Sequence, residues 1–354
     1  MTRPRVAVLT FHRSLNYGSF WQAARLVHGL RSRGHRAELL DHECRAVRGA
    51  ELRCALQPEL PKRTSRRWLR RYATKARKLA SAIDELPLSP RFPLTRPELA
   101  GDYDIIVVGS DEVWNFRHPW FGSKPIFFGD GLRTPRLVSY AASFGNHART
   151  DGIAEDWARK LERFASLSVR DRNSEALVVS GTARAPTIVL DPCLQFPLSV
   201  DARHSAGSDY AIVYGHGFPD WLKQSVRSWA NSRWLMLVSI GYANEWADEQ
   251  RIDASPFEFS EAMACAHAVI TNFFHGCVFA LFNGKPWVSA PSAYRSIKIR
   301  DLAALLGTEH RIVREDRAAS DIPELLNLPV EARIAHRIEE LRASSSDYLD
   351  EALS

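Results

Sequence analysis

Cysteine is scarce in this sequence and never forms a paired motif. The chain has 5 cysteines among 354 residues. They show no C-x-x-C spacing and leave an odd one over: Cys44, Cys54, Cys193, Cys265 and Cys277. Disulfide frameworks and structural zinc sites use evenly paired or closely spaced cysteines. The pattern therefore argues against both, and it favours a reducing, cytoplasmic setting.

Long apolar runs are missing too. No stretch approaches the roughly 18 consecutive apolar residues that a membrane-spanning helix needs. Residues 1–15 contain only the short run VAVLTF, without the small-residue cleavage site of a secretory signal. We therefore expect a cytoplasmic protein, with peripheral contact at the inner face of a membrane left open.

Several motifs that are typical of cofactor binding or catalysis are absent as well. There is no G-x-x-x-x-G-K-[ST] phosphate loop and no G-x-S-x-G elbow, and no His, Cys or carboxylate cluster has metal-ligand spacing. YGHGFPD at 214–220 lacks the third glycine of a dinucleotide fingerprint. We therefore predict neither a metal nor a cofactor.

The composition is that of a globular protein with more than one core. Hydrophobic residues make up 45% and charged residues 25% of the chain, both ordinary values. A chain of 354 residues favours two domains. The net charge of +6 favours anionic partners in general.

Strand and helix patterns alternate along the chain, which predicts an α/β protein. RVAVLTFH has the pattern of a buried strand, WQAARLVHGLRSRG that of a helix and AELLD that of the next strand. A second series begins with YAIVYGHG, after a boundary at 196–208 that contains Pro, Ser, Gly and charge. Two strand–helix series in tandem predict two Rossmann-like domains that face a cleft.

These patterns set the expected domain limits. Residues 1–200 form the predicted N-terminal domain and residues 209–328 the C-terminal one. Residues 329–354 are predicted to form a helix that crosses back over the first domain.

The segment PKRTSRRWLRRYATKARKLA (61–80) concentrates positive charge. Its arginines and lysines share a predicted helix with Trp68 and Tyr72. A solvated surface helix explains this pattern, and a helix resting on anionic lipid is the alternative. No recognition motif accompanies the charge, so no nucleic-acid partner is predicted.

A histidine stands between two apolar runs in AVITNFFHGCVFALFNG. The pattern predicts a strand that ends at Thr271 and a helix from Gly276 to Asn283. His275 would then lie at a helix N-terminus, where free N–H groups and the helix dipole favour anions. It can donate to a phosphate or pass a proton near neutral pH. A core histidine is the alternative; Asn272 and Gly276 beside it are further binding candidates.

Two more charged candidates follow predicted strands. Arg170 in LSVRDRNS stands where a parallel strand ends, and its guanidinium can hold an anion through two hydrogen bonds. A surface ion pair with nearby acidic residues explains it equally well. Ser110 and Asp111 in GSDEVWN are candidates for substrate binding and for a base, although the motif alone favours a helix cap.

The loop LNYGSF opens the first predicted helix of the chain. Asn16, Tyr17 and Gly18 in it are candidates for ligand contact, because glycine allows close backbone approach. A plain turn explains the loop equally well.

Taken together, the motifs resemble the polysaccharide pyruvyl transferase family. GSDEVWN, SYAASFG, SVRDRNS, LDPCL, SPFEF, VITNFFHG, NGKPWV and LRASSSDYLDEAL occur in that family's order and spacing, and TFHRSLNYGSFWQA is similar to its first strand, loop and helix. The similarity spans nearly the whole chain, and residues 45–98 are its least typical part. This chain has Phe273 where the family commonly has Ser.

The resemblance implies a GT-B-like pair of domains, with the acceptor on the first and the donor on the second. It also implies transfer of a pyruvyl group from phosphoenolpyruvate to a saccharide, usually as a ketal, with release of phosphate and with no further cofactor. Arg170 and His275 match family positions implicated in donor binding, and the acceptor is a saccharide that can be lipid-linked. Lys298 and Arg300 in SIKIRDL are additional candidates for the cleft.

Two other functions stay open from the sequence. One is a GT-B glycosyltransferase that uses a nucleotide sugar, which would need a base-binding slot beside His275. The other is a non-catalytic scaffold that the basic segment recruits to a membrane. The sequence does not identify the sugar, its reacting hydroxyls, the ketal stereochemistry, the general base or the oligomeric state.

Overall fold

The computed structural model describes residues 4–197 and 209–354. The first domain is built on a parallel sheet with the strand order β2–β1–β5–β6. These strands are buried and rich in Val, Ile and Leu, as both faces of a covered parallel sheet require. Their bounds are β1 Arg5–Leu9, β2 Arg36–Leu39, β5 Ile105–Val108 and β6 Arg136–Ser139.

Shorter strands and the helices complete this domain. The strands β7 and β8 pair in parallel, and single bridges connect β7 to the main sheet. The bounds are α1 Tyr17–Ser32, β3 His42–Glu43, α2 Arg45–Leu56, α3 Arg66–Asp84, β4 Phe92–Pro93, α4 Glu155–Glu162, β7 Ser168–Val169, α5 Arg172–Thr182, β8 Thr187–Ile188 and α6 Pro192–Gln195.

The second domain has its own parallel sheet, with the order β11–β10–β9–β12–β13. The predicted strand–helix series is present, and α10 and α11 extend it. The bounds are β9 Tyr210–Tyr214, α7 Asp220–Ser232, β10 Met236–Ile240, β11 Glu249–Arg251, α8 Pro256–Cys265, β12 Val269–Thr271, α9 Phe274–Phe282, β13 Trp287–Ser289, α10 Ser296–Leu306, α11 Ala318–Asn327 and α12 Ala332–Leu353. The predicted boundary at 196–208 lies almost entirely outside the described residues.

The last helix, α12, returns to the first domain. The Tyr348 hydroxyl donates to the Ser139 carbonyl at 2.7 Å, and Ser345 Oγ accepts from the backbone N–H of Leu190 at 3.0 Å. Leu349 and its neighbours join the core beneath β1 and β6. The chain thus closes over the domain in which it began.

The domains also meet through a shared apolar core. Side chains of α1 pack with those of α8 and α9 in one buried cluster. Polar contacts fix the same interface: Tyr17 Oη donates to the Ala254 carbonyl at 2.6 Å, and Trp21 Nε1 donates to the Pro256 carbonyl at 3.1 Å. The start of α1 is therefore held directly against the second domain.

The basic helix α3 lies between the domains. Trp68 and Tyr72 are buried against Ile252 of the second domain, and Arg71 pairs with Asp253. Both aromatics therefore face protein, which leaves only the other side of α3 for the lipid contact that the sequence offers as the alternative. Arginines on the other side of α3 remain exposed: Arg66, Arg67, Arg70 and Arg77. No helix among the described residues is both long and apolar enough to cross a bilayer.

Candidate active site

The two domains enclose a cleft with a volume of about 260 Å³. Loops at the carboxyl ends of strands in both sheets line it, as expected for parallel α/β sheets. Asp111 and Arg170 line it from the first domain and His275 from the second. The sequence had placed each of these three residues after a different strand, and the fold brings them together.

Arg170 is the centre of a buried ion cluster. Its Nη2 donates to Asp111 Oδ1 at 3.0 Å, and its Nη1 donates to Asp191 Oδ2 at 3.0 Å. The side chain is 2% exposed, and the guanidinium carbon lies 4.4 Å from the ring centroid of Phe274. The surface ion pair that the sequence allowed is therefore wrong.

The cluster changes the acidity of both carboxyl groups. Burial alone raises the pKa of Asp111, but the charges of Arg170, His275 and Lys298 together hold it well below its ordinary value. Asp191 shows the same balance. Burial raises its pKa, but the charges of His275 and Arg170 have the larger effect, and the pKa lies below its ordinary value. Both side chains are consequently carboxylates at neutral pH.

Asp111 has a structural role that the motif did not predict. No helix begins after it, so the helix-cap interpretation is wrong. Its backbone has φ = 76°, a conformation that costs a non-glycine residue energy and is often found at functional sites. Besides binding Arg170, its Oδ2 accepts from Ser19 Oγ at 3.1 Å. A carboxylate with a depressed pKa and these donors is a weak base.

His275 is the second residue of α9, two residues later in the helix than predicted, because the helix begins at Phe274. The first N–H groups of a helix have no partner within it. The imidazole Nε2 is buried, has no hydrogen-bond partner and lies 3.6 Å from Asp191 Oδ2. This nitrogen is therefore a donor without a hydrogen-bond acceptor in a cleft.

Gly18 explains how the ring of His275 is held. A Cβ atom at Gly18 would lie 2.2 Å from His275 Nδ1. Only glycine at this position of α1 allows the imidazole to pack against the helix. The pairing of Gly18 with His275 across the domain interface is not visible in the sequence.

Lys298 and Arg300 separate in the structure. Lys298 lines the cleft, and its Nζ donates to Glu112 Oε1 at 2.8 Å. Arg300, two residues later in α10, is exposed and lies outside the cleft lining. Only the first of the two therefore belongs to the candidate site.

The candidates of the first loop also differ in their roles. Asn16 caps α1, since its Oδ1 accepts from the backbone N–H of Ser19 at 2.8 Å, and it lines the cleft. Tyr17 instead points into the shared core, where its ring stacks on Phe259. Its side chain therefore holds the domains together.

Three further candidates, Ser110, Gly276 and Asn272, pack or form hydrogen bonds next to the cleft and do not line it. Ser110 is fully buried and donates to Gln22 Oε1 at 2.6 Å. Gly276 is a packing position, because a Cβ there would lie 2.0 Å from Thr271 Oγ1. Asn272 donates to the His216 carbonyl at 2.7 Å, while its Oδ1 is buried without a partner.

Glu51 is a cleft residue that the sequence analysis missed. It accepts from Ser14 Oγ and from Trp120 Nε1, each at 2.8 Å. Burial raises its pKa above the ordinary value. A carboxyl group of raised pKa in a cleft is a candidate for proton transfer. Its helix, α2, lies in the least family-like segment, so no sequence motif marked it.

The sequence analysis also missed Asp191, although its position in the sequence could have identified it. It follows β8 in the motif LDPCL, the same position after a strand that marked Arg170 and Asp111. Two further missed cleft residues are Lys75 and Arg295. Neither lies after a strand, so only the tertiary structure brings them to the cleft.

One group of side chains has the composition of a metal site. Asp191, Cys193 and His275 bring one ligand atom each within 4.8 Å of one another. A cation there would face the guanidinium of Arg170, which already binds Asp191 Oδ2. Burial also raises the pKa of the Cys193 thiol well above its ordinary value, which disfavours the thiolate form that binds metals. The residues therefore do not fit a divalent cation.

The family model for polysaccharide pyruvyl transferase matches residues 16–291. The chain belongs to this family. It is therefore a transferase, and the family implies a saccharide acceptor. No curated protein matches the chain in sequence.

Solved structures are similar to this enzyme over almost its full length. UDP-GlcNAc 2-epimerase from Neisseria meningitidis, bound to UDP-GlcNAc, has 9% identity and a TM-score of 0.53, covering 98% of this chain and 99% of its own. MnaA from S. aureus, in complex with UDP, has 11% identity and a TM-score of 0.50, covering 96% and 91%. AviGT4, a glycosyltransferase of avilamycin A biosynthesis, has 14% identity and a TM-score of 0.48, covering 99% and 97%. The fold is GT-B-like, with two Rossmann-like domains, as predicted.

Removal of the Arg170 charge tests the ion cluster. Arg170→Met leaves two buried carboxylates without their cation, which should lower the free energy of unfolding at pH 7 by about 3–5 kcal/mol. Arg172→Met is the matched control, because Arg172 forms an exposed pair with Glu175, and its loss should cost about 0–1 kcal/mol. Urea unfolding of the three proteins measures both.

The pH dependence gives a second readout of the same cluster. In the wild type, the lowered pKa values of Asp111 and Asp191 stabilise the fold above their unfolded pKa of about 3.9, and this contribution is lost as the pH falls through the folded values. In Arg170→Met, loss of the guanidinium should move both pKa values upwards, so that protonation of the buried carboxylates relieves the uncompensated charge. The difference in the free energy of unfolding between the wild type and Arg170→Met should therefore shrink as the pH falls from 7 towards 4.5. If Arg170→Met lost no more unfolding free energy than Arg172→Met, or if its loss did not depend on pH, the ion cluster would not stabilise the fold as described.

The contact between Gly18 and His275 gives another prediction. Gly18→Ala should displace the imidazole and lower kcat by at least about tenfold, even though alanine favours helix by up to about 1 kcal/mol. Gly49→Ala in α2 is the control, because a Cβ there meets nothing within 4 Å. Equal kcat values for the two variants would show that the position of the ring does not matter.

Proposed function

We propose that this enzyme transfers the pyruvyl group of phosphoenolpyruvate to a saccharide, as a ketal that bridges two hydroxyls, in the biosynthesis of a polysaccharide or cell-surface glycan. The observation that carries the proposal is His275, a cleft residue at the N-terminus of α9 whose Nε2 makes no hydrogen bond and has only the Asp191 carboxylate, 3.6 Å away, beside it. Membership of the pyruvyl transferase family supports the same reaction.

The donor's phosphate fits the N-terminus of α9. Helix N-terminal N–H groups and the dipole favour an anion there, and His275 adds a charge and a transferable proton. Arg170 contributes in a different way from the one that the sequence suggested, because both Nη atoms are engaged with carboxylates. Its Nε is the buried donor without a partner, and through it the guanidinium can reach an anion.

The reaction proceeds in balanced steps. The donor's methylene carbon takes up a proton, and a sugar hydroxyl oxygen bonds to the central carbon as its own proton leaves to a base. The bond between that carbon and the phosphate oxygen then breaks, and His275 protonates or stabilises the departing phosphate. The second hydroxyl bonds to the same carbon and releases its proton, which closes the ketal. The two protons that the hydroxyls release balance the two that the methylene carbon and the phosphate take up.

Glu51 is a better base for the acceptor hydroxyl than Asp111. The environment of Glu51 raises its pKa, whereas that of Asp111 lowers it. A carboxylate accepts a proton more readily when its pKa lies closer to the working pH. Asp111 is accordingly a positioning residue that orients Arg170.

The decisive assay incubates the enzyme with phosphoenolpyruvate and a panel of lipid-linked and nucleotide-linked sugars. Phosphate release together with a pyruvylated product, identified by mass spectrometry, is the expected result. A second arm replaces phosphoenolpyruvate with nucleotide sugars. Glycosyl transfer in that arm, without pyruvylation in the first, would make the enzyme a glycosyltransferase instead.

His275→Gln tests the proton-transfer step. Glutamine can donate a hydrogen bond but cannot carry the charge or transfer a proton near neutral pH. We expect a folded protein that still binds phosphoenolpyruvate, with turnover reduced by about a hundredfold. A lowered Tm with unchanged turnover of the folded fraction would make His275 a structural residue.

We further propose that the enzyme is cytoplasmic and meets anionic lipid at the inner face of a membrane, where lipid-linked acceptors reside. The support is electrostatic only, from the exposed arginines of α3. Arg66, Arg70 and Arg77 together changed to Glu should abolish sedimentation with phosphatidylglycerol vesicles and leave turnover of a soluble acceptor intact. Arg71 stays unchanged because it pairs with Asp253. Vesicle binding equal to that of the wild type would contradict this contact.

A further inference from the structure

The cleft contains two kinds of cation. Arg170 and Lys298 each have carboxylate partners within 3.0 Å. Lys75 and Arg295 have no carboxylate partner among the described residues, 4–197 and 209–354. Charged side chains are almost never buried unless they are paired. The absence of a carboxylate beside Lys75 and Arg295 therefore needs an explanation.

Lys75 reaches the cleft from α3. Its side chain is buried, with the residue 2% exposed, and Nζ makes one hydrogen bond, to the Gly241 carbonyl at 2.6 Å. An ammonium group has three donors. The rings of Tyr17, Tyr72 and Tyr242 surround it, the last at 4.2 Å from its centroid. Desolvation lowers its pKa to about 7, as expected for a cation that lacks a counter-ion.

Arg295 approaches the same part of the cleft from the turn before α10. Its guanidinium carbon lies 4.4 Å from the Phe273 ring centroid. Its hydrogen bonds go to neutral partners, Ser292 Oγ at 3.4 Å and His216 Nε2 at 3.3 Å. Burial lowers its pKa. None of these partners is an anion, so the charge of the guanidinium is left for a ligand to balance.

The space near these two cations has aromatic walls. Tyr242 and Phe273 are in contact, with ring centroids 5.0 Å apart. His216 lies 5.3 Å from Tyr242 and 5.4 Å from Phe273. Burial, together with the charges of Arg295 and Lys75, lowers the pKa of His216 to about 3. His216 is therefore neutral at pH 7, and it senses both cations.

We propose that Lys75 and Arg295 form a second anion subsite in the cleft, walled by Tyr242 and Phe273, that takes a phosphate or carboxylate group of a substrate. The proposed function enters only in identifying the substrate that carries this anionic group. One source is the donor's carboxylate, because Arg170, whose two Nη atoms already bind carboxylates, has only its Nε left for the donor. The other is a phosphate of an activated saccharide acceptor. Phe273, the departure from the family's usual Ser, then shapes this subsite.

Three matched substitutions test the subsite. Lys75→Gln and Arg295→Gln remove the charge and keep an N–H donor for Gly241 and His216. Arg300→Gln removes an exposed cation outside the cleft and serves as the control. Calorimetry at pH 7 measures binding of phosphoenolpyruvate, glucose 1-phosphate and the uncharged methyl glucoside, with Tm as the folding check.

The two sources predict different results. Weakening of phosphoenolpyruvate binding by about tenfold or more in the two cleft variants, with Arg300→Gln unchanged, assigns the subsite to the donor. The same loss for glucose 1-phosphate, without an effect on methyl glucoside, assigns it to the acceptor. Affinities within twofold of the control for both anions would overturn the subsite, as would a wild type that binds neither anion. A wild type without pyruvyl transfer, but with cation-dependent anion binding, would refute the proposed function and leave the subsite standing.

Discussion

The buried guanidinium of Arg170 is the interaction on which the cleft depends. It joins the loop after β5, through Asp111, to the loop after β8, through Asp191. Asp191 in turn faces His275 of the second domain. Breaking such a pair leaves uncompensated buried charge. The cluster therefore holds the loops after β5 and β8 together in the cleft and places the first domain against His275 of the second.

Charge balance divides the cleft into a framework and a binding surface. Both Nη atoms of Arg170 are bound to carboxylates, and these ion pairs hold the loops in place. Where a buried donor has no partner, as at His275 Nε2, a ligand group can complete it. The close contact between Gly18 and the imidazole places that donor at the interface of α1 and α9. The shape of the site is thus set by packing between domains.

The sequence predicts the fold and part of the site because both depend on local patterns. Alternating strands and helices identify the two sheets, and the position after a strand identifies Asp111, Arg170 and His275. Their partners are a different matter. The sequence does not show that α3 turns Trp68 and Tyr72 towards protein, or that α2 brings Glu51 into the cleft. Those facts depend on contacts between distant segments, which periodicity cannot report.

The central claim is that the donor's phosphate lies at the N-terminus of α9, beside His275. A crystal structure of the enzyme with phosphoenolpyruvate tests it most directly. The account predicts phosphate oxygens within hydrogen-bond distance of His275 Nε2 and of the first N–H groups of α9. Phosphoenolpyruvate bound elsewhere, with Nε2 of His275 still without a partner, would contradict it.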